Sequence, residues 1–374
     1  VTVTPSATRA AQVLSRPLGL NGLTLPNRIV MAPMTRRFSP DGVPGEDVAA
    51  YYARRAAAGV GLIVTEGVYV DHASAGESDR IPRLHGAERQ AGWAGVVEAV
   101  HTAGGRIMPQ LWHVGMIRDK PEGSYATAPD IGPSGIRIDG TEGTGKAMTL
   151  QDVDDVVAAF GRAAATAEQL GFDGVELHGA HGYLIDQFLW AGTNRRTDAY
   201  GGDLLSRTRF AAEIVTAVRE SVSPSFPVVF RFSQWKLWGW EARIAETPAE
   251  LEAILAPLSE AGVDAFHAST RRYWIPEFDG SELNLAGWTK KLTGKPVITV
   301  GSIGLDGDFL AAFLGEGAPL QGLDHLLDRV EAGEYDLVAV GRALLQDPEW
   351  AAKVLDGRSA ELTAYDAASL TSLS

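Results

Sequence analysis

Residues 149–178 read TLQDVDDVVAAFGRAAATAEQLGFDGVELH, and their hydrophobic pattern changes period once along the way. Val153, Val156, Val157 and Phe160 fall at i, i+3, i+4 and i+7, one face of a helix that opens after Thr149. Gly171 stands where such a helix stops, and Gly174 to His178 then reads as a short strand. A helix feeding directly into a strand is half of a βαβ unit, and the rest of the chain repeats it. β-rich apolar runs occupy Arg28 to Met31, Gly61 to Val64, Arg106 to Leu111, Gly174 to His178, Val228 to Phe232, Val263 to His267, Val297 to Val300 and Leu337 to Val340. Eight strands alternating with helices over 374 residues predict one TIM (β/α)8 barrel domain spanning 1–374. The competing doubly wound open sheet lacks the G-x-G-x-x-G turn that would follow its first strand.

Two additions to the barrel can be placed. Arg16 to Pro26 carries Gly19, Asn21 and Gly22 between apolar residues and predicts a hairpin capping the barrel floor. Gly115 to Met148 follows the third strand, is rich in Gly, Pro and Ser, and is expected to be an active-site lid. A further helix opens at Thr247 with Pro248 at its first position and Glu250 completing a capping box; Leu251, Ile254, Leu255 and Leu258 form its apolar face before Gly262. Pro257 is expected to kink its last turn or break one backbone hydrogen bond.

Lys and Arg total 33 against 47 Asp and Glu, a net charge of −14, so the chain lacks the basic footprint that holds nucleic-acid phosphates. It has no cysteine, which removes disulfides, thiolate metal sites, cysteine nucleophiles and iron–sulfur clusters. No apolar run reaches the roughly 18 residues that cross a bilayer, and Val1 to Leu20 lacks the basic-then-apolar layout of a signal. A soluble, cytoplasmic protein with neither nucleic-acid nor membrane partners is expected, as a monomer or homodimer.

Barrel enzymes place their chemistry at the C-terminal ends of the strands. Here those ends carry Thr35, Glu66, Gln110, Trp112, His113, His178, His181, Tyr183, Arg231, Ser269, Ser302 and Arg342. In the fourth run, alternation puts Glu176 and His178 on one face, and the glycines around His181 let His181 and Tyr183 share the same mouth. Imidazoles donate N–H groups to a carbonyl or an anion, and a phenol can supply a proton. Separate structural hydrogen bonds are the bland alternative, and a two-His site with Glu176 as metal ligand is a third; no metal is expected. Gly301-Ser302 and Gly341-Arg342 end the last two strands, where backbone N–H groups and a guanidinium can receive phosphate. Arg231 emerges from an apolar strand and needs a partner, either a buried carboxylate or the edge of a flavin that becomes anionic on reduction.

Together these residues resemble the Old Yellow Enzyme family of FMN-dependent ene-reductases. The resemblance runs through Asn27 to Arg36, Gln110-Leu111-Trp112, Glu176 to Leu184, Asp198 to Gly202 with Arg207 and Arg209, Arg231, and Gly341-Arg342. It implies non-covalent FMN held by Pro33, Met34, Thr35, Gly67, Gln110, Arg231, Gly301, Ser302, Gly341 and Arg342. It further implies that His178 and His181 hold the substrate oxygen, that Tyr183 supplies the proton, and that Trp112 lines the substrate side. NAD(P)H would act as reductant in ping-pong turnover, with hydride passing from flavin N5 to the β-carbon of an enone; nitro compounds are further candidate substrates. Thr35 stands where one branch has cysteine, His181 where many members have Asn, and the absence of Cys separates the chain from larger relatives with an iron–sulfur cluster. A related barrel oxidising an alcohol or amine, and an idle phosphate-binding barrel, are the alternatives. Ser233 to Trp240 and Thr270 to Trp274 receive no role from the sequence.

Overall fold

The alternation of helix and strand closes on itself. In the computed structural model, eight parallel strands form a barrel in chain order: β3 (Ile29–Met31), β4 (Leu62–Tyr69), β5 (Ile107–Trp112), β8 (Val175–His181), β9 (Val228–Lys236), β10 (Ala265–Ser269), β11 (Val297–Val300) and β12 (Leu337–Val340), with β12 pairing back to β3. The structure describes residues 8–118, 121–143, 145–307 and 314–374; residues 1–7 of the stretch read for a signal, and 119, 120 and 144 of the expected lid, lie outside it. The helix after Thr149 is Leu150–Gln169, capped by Thr149 and Asp152, which exchange side-chain and backbone hydrogen bonds. Among the described residues no helix is long and apolar enough to cross a membrane.

The expected hairpin is β1 (Leu18–Leu20) paired antiparallel with β2 (Leu23–Leu25), and a second two-stranded pair outside the barrel is β6 (Ile131–Gly132) parallel to β7 (Lys146–Ala147). Asn21 and Gly22, at φ 38° and 86°, make the tight turn. Leu20 and Leu25 join Val30, Leu62, Met108, Val229, Ala265, Ile298 and Leu337 in one buried cluster, so the hairpin plugs the N-terminal floor of the barrel. A second, larger apolar layer packs between the strands and the outer helices.

Several details differ from the sequence reading, among them β4, which runs on to Tyr69 instead of ending at Val64, and β8, which runs on to His181. The sixth strand begins at Ala265, because the Val263 N–H still bonds the Leu258 carbonyl at the end of the preceding helix. β9 continues to Lys236 rather than stopping at Phe232, because the polar residues that interrupt its apolar run find buried partners. The helix Pro248–Ala261 runs unbroken through Pro257. Its Thr247 cap bonds the Glu250 N–H as expected, but the Glu250 carboxylate takes the Glu246 N–H, so the capping box is not reciprocal.

Candidate active site

Strand register brings the polar residues into one layer. Gln110 of β5 sits beside Glu176 of β8, His178 beside Arg231 of β9, and Arg231 beside His267 of β10. Glu176 is fully buried and accepts from Gln110 Nε2 at 2.8 Å and His267 Nδ1 at 2.6 Å. Burial opposes its charge, yet His267 and Arg231 outweigh that cost and hold its carboxyl below the usual range. Glu176 also supplies opposite charge to Arg231 across this layer, with no hydrogen bond or close ion pair between the two, which speaks to one half of the question Arg231 posed. The other half stays open on the cleft side: Arg231 reaches Ser269 Oγ at 3.2 Å while its buried Nε has no partner.

Above this layer lies a cleft of about 300 Å³ at the C-terminal ends of the strands. Of the residues singled out from sequence, Pro33, Met34, Thr35, Gln110, Trp112, His178, His181, Tyr183, Arg231, Gly301, Ser302, Gly341 and Arg342 all line it. Gly67 does not; a Cβ there would sit 2.3 Å from the Trp112 ring, so this glycine lets Trp112 seat against β4. None of the described residues of the expected lid, Gly115 to Met148, lines the cleft, and the stretch instead reaches Gly182 through Ile138.

The histidines and Tyr183 form one wall. The His178 ring centroid lies 5.1 Å from that of His181 and 4.8 Å from that of Tyr183, all edge to face. Trp112 backs both His178 and Tyr183. Burial, and next the charge of Arg231, push both imidazoles well below their ordinary pKa, so both are neutral at physiological pH. His178 Nδ1 accepts the Ala180 N–H, which leaves its proton on Nε2. His181 differs: its Nε2 is 2.8 Å from Ser269 Oγ, so only its other nitrogen is left for a ligand. Desolvation by its neighbours pushes the Tyr183 phenol above its ordinary range and keeps it protonated.

The opposite wall is built from backbone. Gly301 has φ 147° and Ser302 φ 52°. Thr270 to Trp274 buttresses this turn: Thr270 Oγ1 donates to Val300 O at 2.6 Å and the Tyr273 N–H to Gly301 O at 3.1 Å. A Cβ on Gly301 would lie 2.6 Å from Thr270 Oγ1, whereas over Gly341 the nearest atom would be Met34 Sδ at 3.6 Å, which leaves that backbone open to the cleft. Arg342 Nη2 is anchored by Gly307 O at 2.7 Å and Ser302 Oγ at 3.3 Å. An open backbone turn, a helix start at Gly341 and a guanidinium suit a phosphate, and the orphaned Arg231 Nε suits an anionic heteroaromatic edge. These residues fit FMN.

Residues behind and around the cleft carried little sequence signal beyond the place of Glu66 at a strand end. Glu66 is buried and takes the N–H groups of Arg36 at 2.8 Å and Arg37 at 3.2 Å, fixing the loop that presents Thr35; burial raises its carboxyl to about 7. Tyr365 and Leu370 come from far along the chain to line the mouth. His267 could have been found by alternation, since it shares a strand face with Ser269, which stands at a strand end.

The NADH:flavin oxidoreductase / NADH oxidase family matches residues 14–320, and the chain belongs to it. It is 35% identical to the NADH oxidase of Thermoanaerobacter brockii over 92% of its own length, spanning 50% of that relative. It is 33% identical to 12-oxophytodienoate reductase 7 of Oryza sativa subsp. japonica, over 90% of this chain and 86% of the relative. Among solved structures, morphinone reductase superposes with TM-score 0.76 at 30% identity, covering 96% of this chain and 92% of that one. Old Yellow Enzyme from a Pichia species does so with TM-score 0.79 at 27% identity, covering 96% and 90%. The chain is thus an oxidoreductase of the Old Yellow Enzyme family, a family of NADH:flavin oxidoreductases.

Proposed function

We propose that the protein is an FMN-dependent, NAD(P)H-driven ene-reductase that reduces the activated C=C bond of α,β-unsaturated carbonyl compounds. The carrying observation is one cleft with Tyr183, His178 and His181 on one wall and, on the other, Gly301, Ser302 and Arg342 beside the open backbone of Gly341. The names of the similar 12-oxophytodienoate reductase and morphinone reductase support this substrate class. Thr35, Gln110, Arg231, Gly301, Ser302, Gly341 and Arg342 would hold FMN, which would supply hydride-transfer chemistry between NAD(P)H and the alkene. The chain's own residues do the rest. His178 Nε2–H and the free nitrogen of His181 hold the carbonyl oxygen and stabilise the charge that develops on it. Tyr183 donates its proton to the α-carbon, and Trp112 keeps that phenol directed into the cleft.

The test begins with colour. The purified protein is expected to be yellow with one non-covalent FMN per chain, to bleach with NADPH under anaerobic conditions, and to regain its colour on adding cyclohexenone. A colourless protein that takes up no FMN contradicts the reading. Bleaching by an alcohol or amine, with no response to cyclohexenone, would move the protein to the oxidising class.

A further inference from the structure

β9 is longer than the barrel requires. Its pairing with β8 matches Gly179 with Phe232 and next His181 with Lys236, so four steps along β9 face two along β8. The surplus loops out as a bulge, and a bulge leaves backbone groups without ladder partners. Lys236 Nζ takes them up, donating to Gln234 O at 2.6 Å and Ser233 O at 3.3 Å. The same ammonium lies 2.9 Å from Asp186 Oδ1, with both side chains fully buried. The other oxygen of Asp186 accepts the Gly182 N–H at 2.6 Å, in the turn between His181 and Tyr183.

His181 is held at the same points. Its φ of 64° is left-handed, a conformation that a non-glycine residue keeps only when its surroundings fix it. Ser233 Oγ accepts its N–H at 2.9 Å, and the Leu237 N–H donates to its carbonyl at 3.1 Å. The Trp235 ring stacks on its imidazole at 4.4 Å, and Trp235 Nε1 donates to the carbonyl of Ser269, whose hydroxyl meets the same imidazole. Stability alone is a weak reason for a buried ion pair, since apolar side chains of similar volume often serve as well. Direction is what the pair adds: it ties the bulge to the turn that carries both His181 and Tyr183.

We propose that Ser233, Trp235 and Lys236 of β9, with Asp186, form a positioning bracket that sets His181 and Tyr183 against a ligand's oxygen and α-carbon. The proposal rests on the site reading given above for His178, His181 and Tyr183. It gives the Ser233–Lys236 stretch a role in the geometry of the reaction rather than in FMN binding.

The test uses the FMN-loaded protein, with Ser233→Ala as one variant and the double variant Lys236→Met/Asp186→Leu as the other. The double variant leaves no buried unpaired charge. FMN content and melting temperature report folding, titration of p-hydroxybenzaldehyde with its long-wavelength charge-transfer band reports the imidazole pair, and rapid mixing of reduced protein with cyclohexenone reports proton delivery. Folded, yellow variants are expected to lose at least about tenfold in ligand affinity and in reoxidation rate, because sub-ångström misplacement of reacting groups is costly. The loss in reoxidation caused by the double variant should be smaller in a Tyr183→Phe background than in the parent, the remainder being the share that acts through His181. Should the double variant not fold, Ser233→Ala decides alone. Folded variants with unchanged ligand affinity and reoxidation overturn the bracket. A parent protein that shows no charge-transfer band contradicts the site reading itself, which is a distinct failure and removes the bracket with it.

Discussion

The two walls of the cleft are made by different means. The β11–β12 wall is mainly backbone: Gly301, Ser302 and Gly341 offer main-chain atoms, and Arg342 is the one long side chain among them, anchored by Gly307 and Ser302. The β8–β9 wall is side chain upon side chain, with His178, His181 and Tyr183 held by Trp112, Trp235, Ser233 and Ser269. A backbone wall is supported through its main chain, here by Thr270 and Tyr273 on the carbonyls of Val300 and Gly301. A side-chain wall needs a second layer for every group it presents. The first arrangement suits recognition of a constant group such as phosphate; the second suits a reaction, where the position of each proton matters.

This contrast can be broken most sharply at Tyr183. Tyr183→Phe keeps the ring and removes only the proton, so reduction of enone is expected to slow by about 10² to 10⁴, or roughly 3 to 5 kcal/mol of barrier. Flavin reduction by NAD(P)H in the same variant should stay nearly normal, as rapid mixing of the two half-reactions can show. On the opposite wall, Arg342→Ala removes a charged contact and should weaken FMN binding by roughly 1.5 to 3 kcal/mol, read by fluorescence titration of the apoprotein. An unchanged affinity would place the phosphate elsewhere.

A third effect falls on the loop between the walls. The Glu66 carboxyl is raised to about 7 by burial, so in the folded state it keeps a proton that the unfolded chain, near 4.5, has already released. Folding stability should therefore fall as pH rises from about 4.5 to about 7 and level off above. Glu66→Gln should reduce that fall by on the order of 3 kcal/mol in denaturant melts across this window. Equal slopes in both proteins would refute the assignment. The smallest change is expected for His178→Ala, which loses one neutral hydrogen bond and should weaken p-hydroxybenzaldehyde by up to about tenfold.

What could be read without coordinates follows the same division. The barrel was legible because the hydrophobic period switches from 3.6 to 2 and back along the chain, and the backbone wall at Gly301 and Gly341 because glycine after an apolar strand is a local signal. His178, His181 and Tyr183 were legible as a group because they are neighbours in sequence. Their supports were not. Ser269 reaches His181 across 88 positions, His267 meets Glu176 across 91, and Lys236 meets Asp186 only because β9 bulges against β8. Cross-strand register of this kind is set by the closure of the whole barrel. Tyr365 and Leu370 lie farther still, beyond the last strand, where no periodic pattern marks them. The loop after β5 shows the opposite error: its length and Gly content suggested a lid, while its described residues pack beside the turn that follows β8.

The division of labour between the walls can be tested in one paired experiment, measuring FMN dissociation constant and reoxidation rate by cyclohexenone in both Tyr183→Phe and Arg342→Ala. The result expected is a crossed pattern: Tyr183→Phe binds FMN as the parent does but reoxidises slowly, and Arg342→Ala loses FMN affinity but, once saturated, reoxidises at close to the parental rate. A Tyr183→Phe protein that reoxidises at the parental rate, or an Arg342→Ala protein that retains full FMN affinity while losing reoxidation, would contradict it.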